Sequence, residues 1–117
     1  MHIERGSFEA TKGWYIGPWN TSVSISVGYA NEGLDEPHYH EEITEIYMVA
    51  RGTVEMRIEQ ETVKLGPNDV VVVEPGEAHT FLSASPDHFH FVVHTPGVAG
   101  SVAKKDKVKV KRSRLGL

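Results

Sequence analysis

The chain contains no cysteine, which excludes a disulfide framework and any thiolate metal site, so a metal in this protein must be held by nitrogen and oxygen. No apolar run approaches the roughly eighteen residues of a membrane span, and the N-terminal MHIERGSFEA lacks the apolar core of a signal peptide. A cytoplasmic location and no membrane partner are expected. No stretch of ten or more residues places apolar side chains at helical spacing, which removes helical bundles and alternating α/β folds. Glutamine occurs once and asparagine three times, a scarcity of thermolabile residues in the direction thermophilic proteins take.

What is present belongs to an ordinary globular protein. The 117 residues are 39% hydrophobic and 24% charged, and a chain this long makes about one domain that buries roughly two-thirds of its unfolded surface. The net charge of -4 conceals an asymmetry: residues 104–117 hold seven of the twelve Lys and Arg and one of the sixteen acids, a tail of +6 on a body of -10. The chain therefore divides into a single domain over residues 1–103 and a basic C-terminal tail over 104–117. A basic tail can attract nucleic acid. This one has no aromatic residues to stack on bases and no expected helix to enter a groove, and the acidic body repels phosphate. Nucleic acid is not the expected partner; the tail reads as a solvated or edge-strand segment that offsets the acidic body.

Residues 3–20 read as irregular, with Trp14, Tyr15 and Trp19 among Gly13, Gly17 and Pro18, aromatic cover for one end of a core in preference to a pocket wall. TSVSISVGY then alternates, with Val23, Ile25, Val27 and Tyr29 on one face and Ser22, Ser24, Ser26 and Gly28 on the other, the pattern of a half-buried strand. The serine face either meets water or lines a polar cavity. Further strands are expected at HYH, TEIYMVA, TVEMRIE, TVKL, HTFL and HFHFVVHT, and the β-branched run Val70 to Val73 reads as a strand buried on both faces. Turns fall at Arg51-Gly52, Glu59 to Glu61, GPND, Glu74-Pro75-Gly76 and SASPD. So many short strands imply an all-β sandwich or closed barrel, which also removes exposed edges.

The chemistry gathers in GLDEPHYHEEITEIYMVARG, residues 33–52. Strand side chains alternate, so His38 and His40 leave one face together, and Glu45 adds a carboxylate from the next strand. Imidazole nitrogen with a hard anionic oxygen is what a divalent transition metal takes, and His79 in EPGEAHTF can supply a third imidazole. If Glu45 faces inward, so do Tyr47 and Val49, while Ile46, Met48 and Ala50 face away. Glu41 and Glu42 lie too close to His40 to fold back as ligands and read as solvated.

These residues resemble the cupin superfamily, in the small single-domain form. Its first motif runs glycine, HxH, three or four residues, glutamate, six residues, glycine; His38-Tyr39-His40, Glu45 and Gly52 fit it, and Gly33 sits one residue closer to the first histidine than is usual. Its second motif is matched by Gly76 and His79, with Asn68 where the first glycine belongs, Glu74 in place of the proline and Ser83 in place of the final asparagine. The resemblance implies a double-stranded β-helix, or jelly-roll, barrel with its core over about residues 20–97. It also implies that His38, His40, Glu45 and His79 bind one divalent transition metal per chain, whether Fe, Mn, Ni, Zn or Cu. Four protein ligands on a six-coordinate ion leave two adjacent positions for water, dioxygen or a small molecule. A homodimer is implied as well, since single-domain members commonly pair.

His88, His90 and His94 form a second cluster, sharing one face of the last strong strand with Val92. If that face points inward, His90 or His94 can serve as acid or base beside the metal. If Phe89, Phe91 and Val93 point inward instead, the histidines belong to the surface or to a dimer contact. The catalytic candidates are His90 and Tyr47, with Phe81 and Met56 as cavity or packing residues. The expected function is a metal-dependent enzyme acting on a small oxygen-rich molecule such as a sugar derivative, keto acid or catechol-like compound, by dioxygenase-like or isomerase/lyase-like chemistry. The competing readings are a non-catalytic binding or sensing module and a metal-stabilised structural protein, because one fold hosts many functions.

Overall fold

Ten short strands arranged as two antiparallel five-stranded sheets form the protein in the computed structural model, which describes residues 1–6 and 10–117. Residues 7–9, part of the stretch read as irregular, lie outside the described residues. In chain order the strands are β1 (Lys12–Ile16), β2 (Ser26–Ala30), β3 (His38–His40), β4 (Thr44–Arg51), β5 (Val54–Ile58), β6 (Glu61–Leu65), β7 (Val70–Val73), β8 (His79–Ala84) and β9 (Phe89–Thr95), then helix α1 (Gly100–Asp106) and strand β10 (Lys107–Lys109). One sheet has the order β1-β2-β9-β4-β7 and the other β10-β3-β8-β5-β6. This is the all-β, double-stranded β-helix barrel that the motifs implied. Among the described residues no helix is long and apolar enough to cross a membrane.

Alternation along β4 places the site. Glu45, Tyr47 and Val49 are 4%, 6% and 4% exposed, while the intervening residues face outward, as period two requires. Tyr47 packs with Met56, Val73 and Val92, and Ile58, Val63, Leu65, Val71 and Phe81 surround that cluster. At the end of β4 the chain reverses through Gly52 at φ +71°, where a Cβ would stand 2.7 Å from the His88 backbone. Asn68, which stands where the family motif has glycine, has φ 74°, a left-handed conformation that asparagine adopts more readily than other residues with a Cβ. The departure from the motif therefore preserves the turn.

Three sequence expectations are corrected. Residues 12–16 are not irregular but form β1, paired with β2. Strand β2 begins only at Ser26, later than expected, and of the two readings left open for its small face the inward one holds: Ser26 is 1% exposed, Gly28 is buried and Ile25 is solvent-facing. A Cβ on Gly28 would lie 2.8 Å from the Trp14 ring and 2.7 Å from the Gly13 carbonyl, so the small face makes room for the aromatic residue above it. Strand β7 is not buried on both faces, because it is an edge strand on which Val70 and Val72 are more than half exposed; a run of four valines carries no alternation to tell an edge from a centre.

Residues 104–117, which charge set apart, fold onto the body and supply an edge strand, one of the two readings of the tail. Strand β10 pairs with β3, Lys107 opposite His40 and Lys109 opposite His38, and Leu115 is fully buried. The tail's cations meet acids of the body: Lys107 with Glu36 at 2.5 Å, Arg114 with Glu59 at 2.9 Å, and Arg112 with Asp35. The helix preceding β10 is only seven residues long, too short to register as helical periodicity.

Candidate metal centre

Strand β3 delivers His38 and His40, the start of β4 delivers Glu45, and the start of β8 delivers His79. His38 and His79 are cross-strand partners, which puts their rings 4.4 Å apart. The Gly76 amide donates to the His40 carbonyl at 2.8 Å, tying the second motif to the first. All four residues named from the motifs thus meet. Glu45 Oε1 lies 3.0 Å from His40 Nε2, 3.1 Å from His79 Nε2 and 3.6 Å from His38 Nε2. His79 and Glu45 are 1% and 4% exposed.

These spacings resemble the edges of a coordination polyhedron: ligand bonds of about 2.1 Å hold neighbouring octahedral donors about 3 Å apart. The proton count points the same way. His38 Nδ1 meets the Glu36 carbonyl at 2.6 Å, His79 Nδ1 the Glu77 carbonyl at 3.0 Å, and His40 Nδ1 the Asp106 carboxylate at 3.2 Å. Carbonyls and carboxylates only accept, so each Nδ1 carries a proton, and in the neutral form that a metal requires each ring leaves a lone pair at Nε2. Three lone pairs then converge on a carboxylate oxygen. Glu45 Oε1 and His79 Nε2 are buried without a hydrogen-bond partner. Orphaned buried acceptors are costly, and a divalent cation among them would satisfy all four at once, so the residues fit a metal.

The surrounding groups hold the carboxylate in one orientation. Its second oxygen, Oε2, accepts from the Tyr47 hydroxyl and contacts His94 Nε2 at 3.3 Å, leaving Oε1 to the other three imidazoles. Burial alone would raise the Glu45 pKa, but the contacts with His38, His40, His79 and His94 hold it well below the usual carboxylate range. Burial, and then the Glu45 charge, push the Tyr47 phenol well above its ordinary value, so Tyr47 donates to Glu45 and stays protonated. For His40, burial opposes the charged form, yet Glu45 and Asp106 prevail and raise its pKa.

Three further residues contribute, of which sequence reasoning left His94 open, preferred a packing role for Trp14 and did not name Asp106. His94 was one of two open readings of β9; its face points inward, with His88, His90 and His94 at 1%, 3% and 5% exposed. Register decides this, since Glu45 pairs with His94 and cross-strand partners share a face. Glu45 with His38 and His79, or with His40 and His94, forms a set of donor atoms within 4.8 Å of one another. Asp106, at the end of α1, receives the Glu42 and Ile43 amides at 3.0 and 3.1 Å and so braces the loop between β3 and β4 as well as the His40 ring. Trp14 was read as core cover, but its ring lies 4.3 Å from that of His94 and lines a cavity of about 460 Å³ that also touches His38, His40, Glu45 and His90.

Partners of ligand histidines commonly contribute about 10–100-fold to metal affinity. Asp106→Ala is therefore expected to weaken metal binding by about that factor, measured by chelator competition, while the barrel still folds. Unchanged affinity would remove Asp106 from the account.

The comparisons agree with this architecture. Among curated proteins none is a significant match to the sequence. Pac13, a nucleoside dehydratase from Streptomyces, superposes with a TM-score of 0.67 at 16% identity, covering 94% of this chain and 92% of that one. KdgF from Halomonas sp. gives 0.65 at 20% identity over 78% and 81%. The DMSP lyase DddQ from Ruegeria pomeroyi DSS-3 gives 0.51 at 26% identity, over 61% of this chain and 38% of that one. The sequence profile of the cupin domain matches residues 26–95, the span from β2 through β9 that contains both motifs, and the chain belongs to the cupin family.

Proposed function

We propose that this protein is a metal-dependent enzyme acting on a small oxygen-rich molecule, with one divalent transition metal held by His38, His40, His79 and Glu45. The observation that carries the reading is the convergence of three imidazole lone pairs and an orphaned carboxylate oxygen beside a cavity of about 460 Å³. When bound, such a metal supplies Lewis acidity toward a substrate oxygen, and iron or copper adds redox chemistry. The chain's own residues do the rest. Trp14, Phe81 and Val92 give the cavity an apolar wall beside the metal-holding set, Tyr47 keeps Glu45 oriented, and His90 places a polar group on the same cavity wall.

That inward polar group favours turnover over passive binding. With iron or copper the chemistry would be dioxygenase-like; with manganese, nickel or zinc, isomerase- or lyase-like. A dehydratase and a lyase among the structural neighbours support the second. The runner-up, a non-catalytic module that binds or senses a small molecule, is favoured by the apolar part of the wall, Trp14, Leu34, Phe81 and Val92. The homodimer belongs to the same proposal: edge strand β7, with Val70 and Val72 outward, would pair with its copy about a two-fold axis, and light scattering should then give twice the chain mass.

The test is a screen of metal-loaded protein against oxygenated small molecules, with and without chelator. Turnover that chelation abolishes supports the enzyme, whereas ligands that raise the melting temperature without being converted would support the binding module. Chelation itself should lower stability by about 2.7 kcal/mol if the metal stands at a hundred times its Kd, and an unchanged melting temperature would contradict metal binding in either case.

A further inference from the structure

His88 and His90 take no part in the metal-holding set. Both rings lie inside the barrel and meet through His88 Nε2 and His90 Nδ1 at 2.7 Å. The plane of His90 is fixed by Phe81, stacked at 5.2 Å, and by Tyr47, edge-on at 5.4 Å. His90 lines the cavity, while the far nitrogen of His88, Nδ1, is buried with no hydrogen-bond partner. Burial, and then His88, push His90 down to about 4, and burial lowers His88 too, so each neutral ring carries a single proton.

Two tautomer arrangements satisfy the short contact. If His90 Nδ1 donates, His88 must hold its only proton at Nδ1, as a buried N–H with no acceptor. If His88 Nε2 donates, the orphan at Nδ1 is a bare lone pair. Buried orphan donors are the rarer of the two in native proteins, so the second arrangement holds. His90 then receives a hydrogen bond at Nδ1 and must carry its own proton at Nε2.

We propose that His90 presents a fixed Nε2–H donor to the cavity, with His88 as the positioning residue that sets its tautomer. A ligand of this barrel then needs an oxygen or nitrogen acceptor opposite His90 in addition to the oxygen directed at the metal-binding set. The donor itself depends only on the histidine pair; the two-point description of the ligand rests on the function proposed above. His90 is thereby a hydrogen-bond donor that polarises a substrate oxygen, and its Nε2 has no lone pair with which to remove a proton.

The experiment is a long-range proton–nitrogen correlation spectrum of the zinc-loaded, ¹⁵N-histidine-labelled protein near neutral pH. Both His88 and His90 are expected as neutral rings with the proton on Nε2. A proton on His90 Nδ1, or a doubly protonated ring, would overturn the proposal. His88→Phe removes the donor and is expected to move the two His90 nitrogens to averaged shifts at unchanged zinc content. His88→Gln, which retains an N–H donor, is expected to keep the Nε2–H form. A pure Nε2–H tautomer in a folded His88→Phe, or its loss in His88→Gln, would remove the positioning role. Failure to take up zinc would instead count against the metal-holding set, and the tautomers remain readable on the metal-free protein.

Discussion

Replacing His79 with Ala is expected to lower metal affinity by more than about 100-fold, since even the outer partners of ligand histidines contribute about 10–100-fold. Metal content after extensive dialysis should drop from about one per chain to near zero. His79 is the informative position because it comes from the second motif, far along the chain from the other three, and its buried Nε2 has no hydrogen-bond partner. The change removes a buried ring and its bond to the Glu77 carbonyl, so the metal-free variant should melt below the metal-free parent. What should disappear is the rise in melting temperature on adding metal, which reports binding to the native state alone. A variant that kept both its metal and that rise would show that His79 is not a ligand.

The metal-free protein is expected to lose stability as pH falls from about 6.5 to about 4, with His90 contributing about 3 kcal/mol of the loss. His90 is pushed down to about 4, first by burial, while an unfolded histidine titrates near 6.5. Between those values the unfolded chain binds a proton that the folded one refuses, so unfolding becomes easier as acid is added. The depressed Glu45 contributes in the same direction, at lower pH, as pH falls below the unfolded carboxylate value. His40, whose pKa is raised, works the other way, giving stability below about 6.5 that is lost as pH rises through its folded value. Comparison with His90→Phe isolates the term, because Glu45 and His40 are common to both proteins. Denaturant unfolding across this range should give a shallower acid loss in the variant, and equal slopes would contradict a buried neutral His90.

Much of the barrel was legible because period-two alternation and turn residues are local. Strand β4 is the clearest case: one inward residue, Glu45, fixed the faces of Tyr47 and Val49. The motif spacing named four donors that the fold brings together, since ligands fixed in strands cannot slip by a residue without turning to the other face. What escaped depends on pairing between distant segments. In β9 both alternate sets are partly buried, Phe89 with one and the histidines with the other, so periodicity alone could not phase the strand; its register against Glu45 does. Asp106 lies sixty-six residues beyond His40, in a segment whose positive charge masked its place beside β3. Trp14 stands at the cavity because Gly28 on the neighbouring strand leaves it space, a fit between two strands that neither sequence segment reveals alone.

The most direct test is a crystal structure of protein purified without added metal or chelator, with anomalous data collected at the absorption edge of whichever element elemental analysis finds. One metal per chain is expected, within about 2.0–2.3 Å of the Nε2 atoms of His38, His40 and His79 and of Glu45 Oε1. A protein free of metal, or an ion bound where His79 does not reach it, would contradict the account.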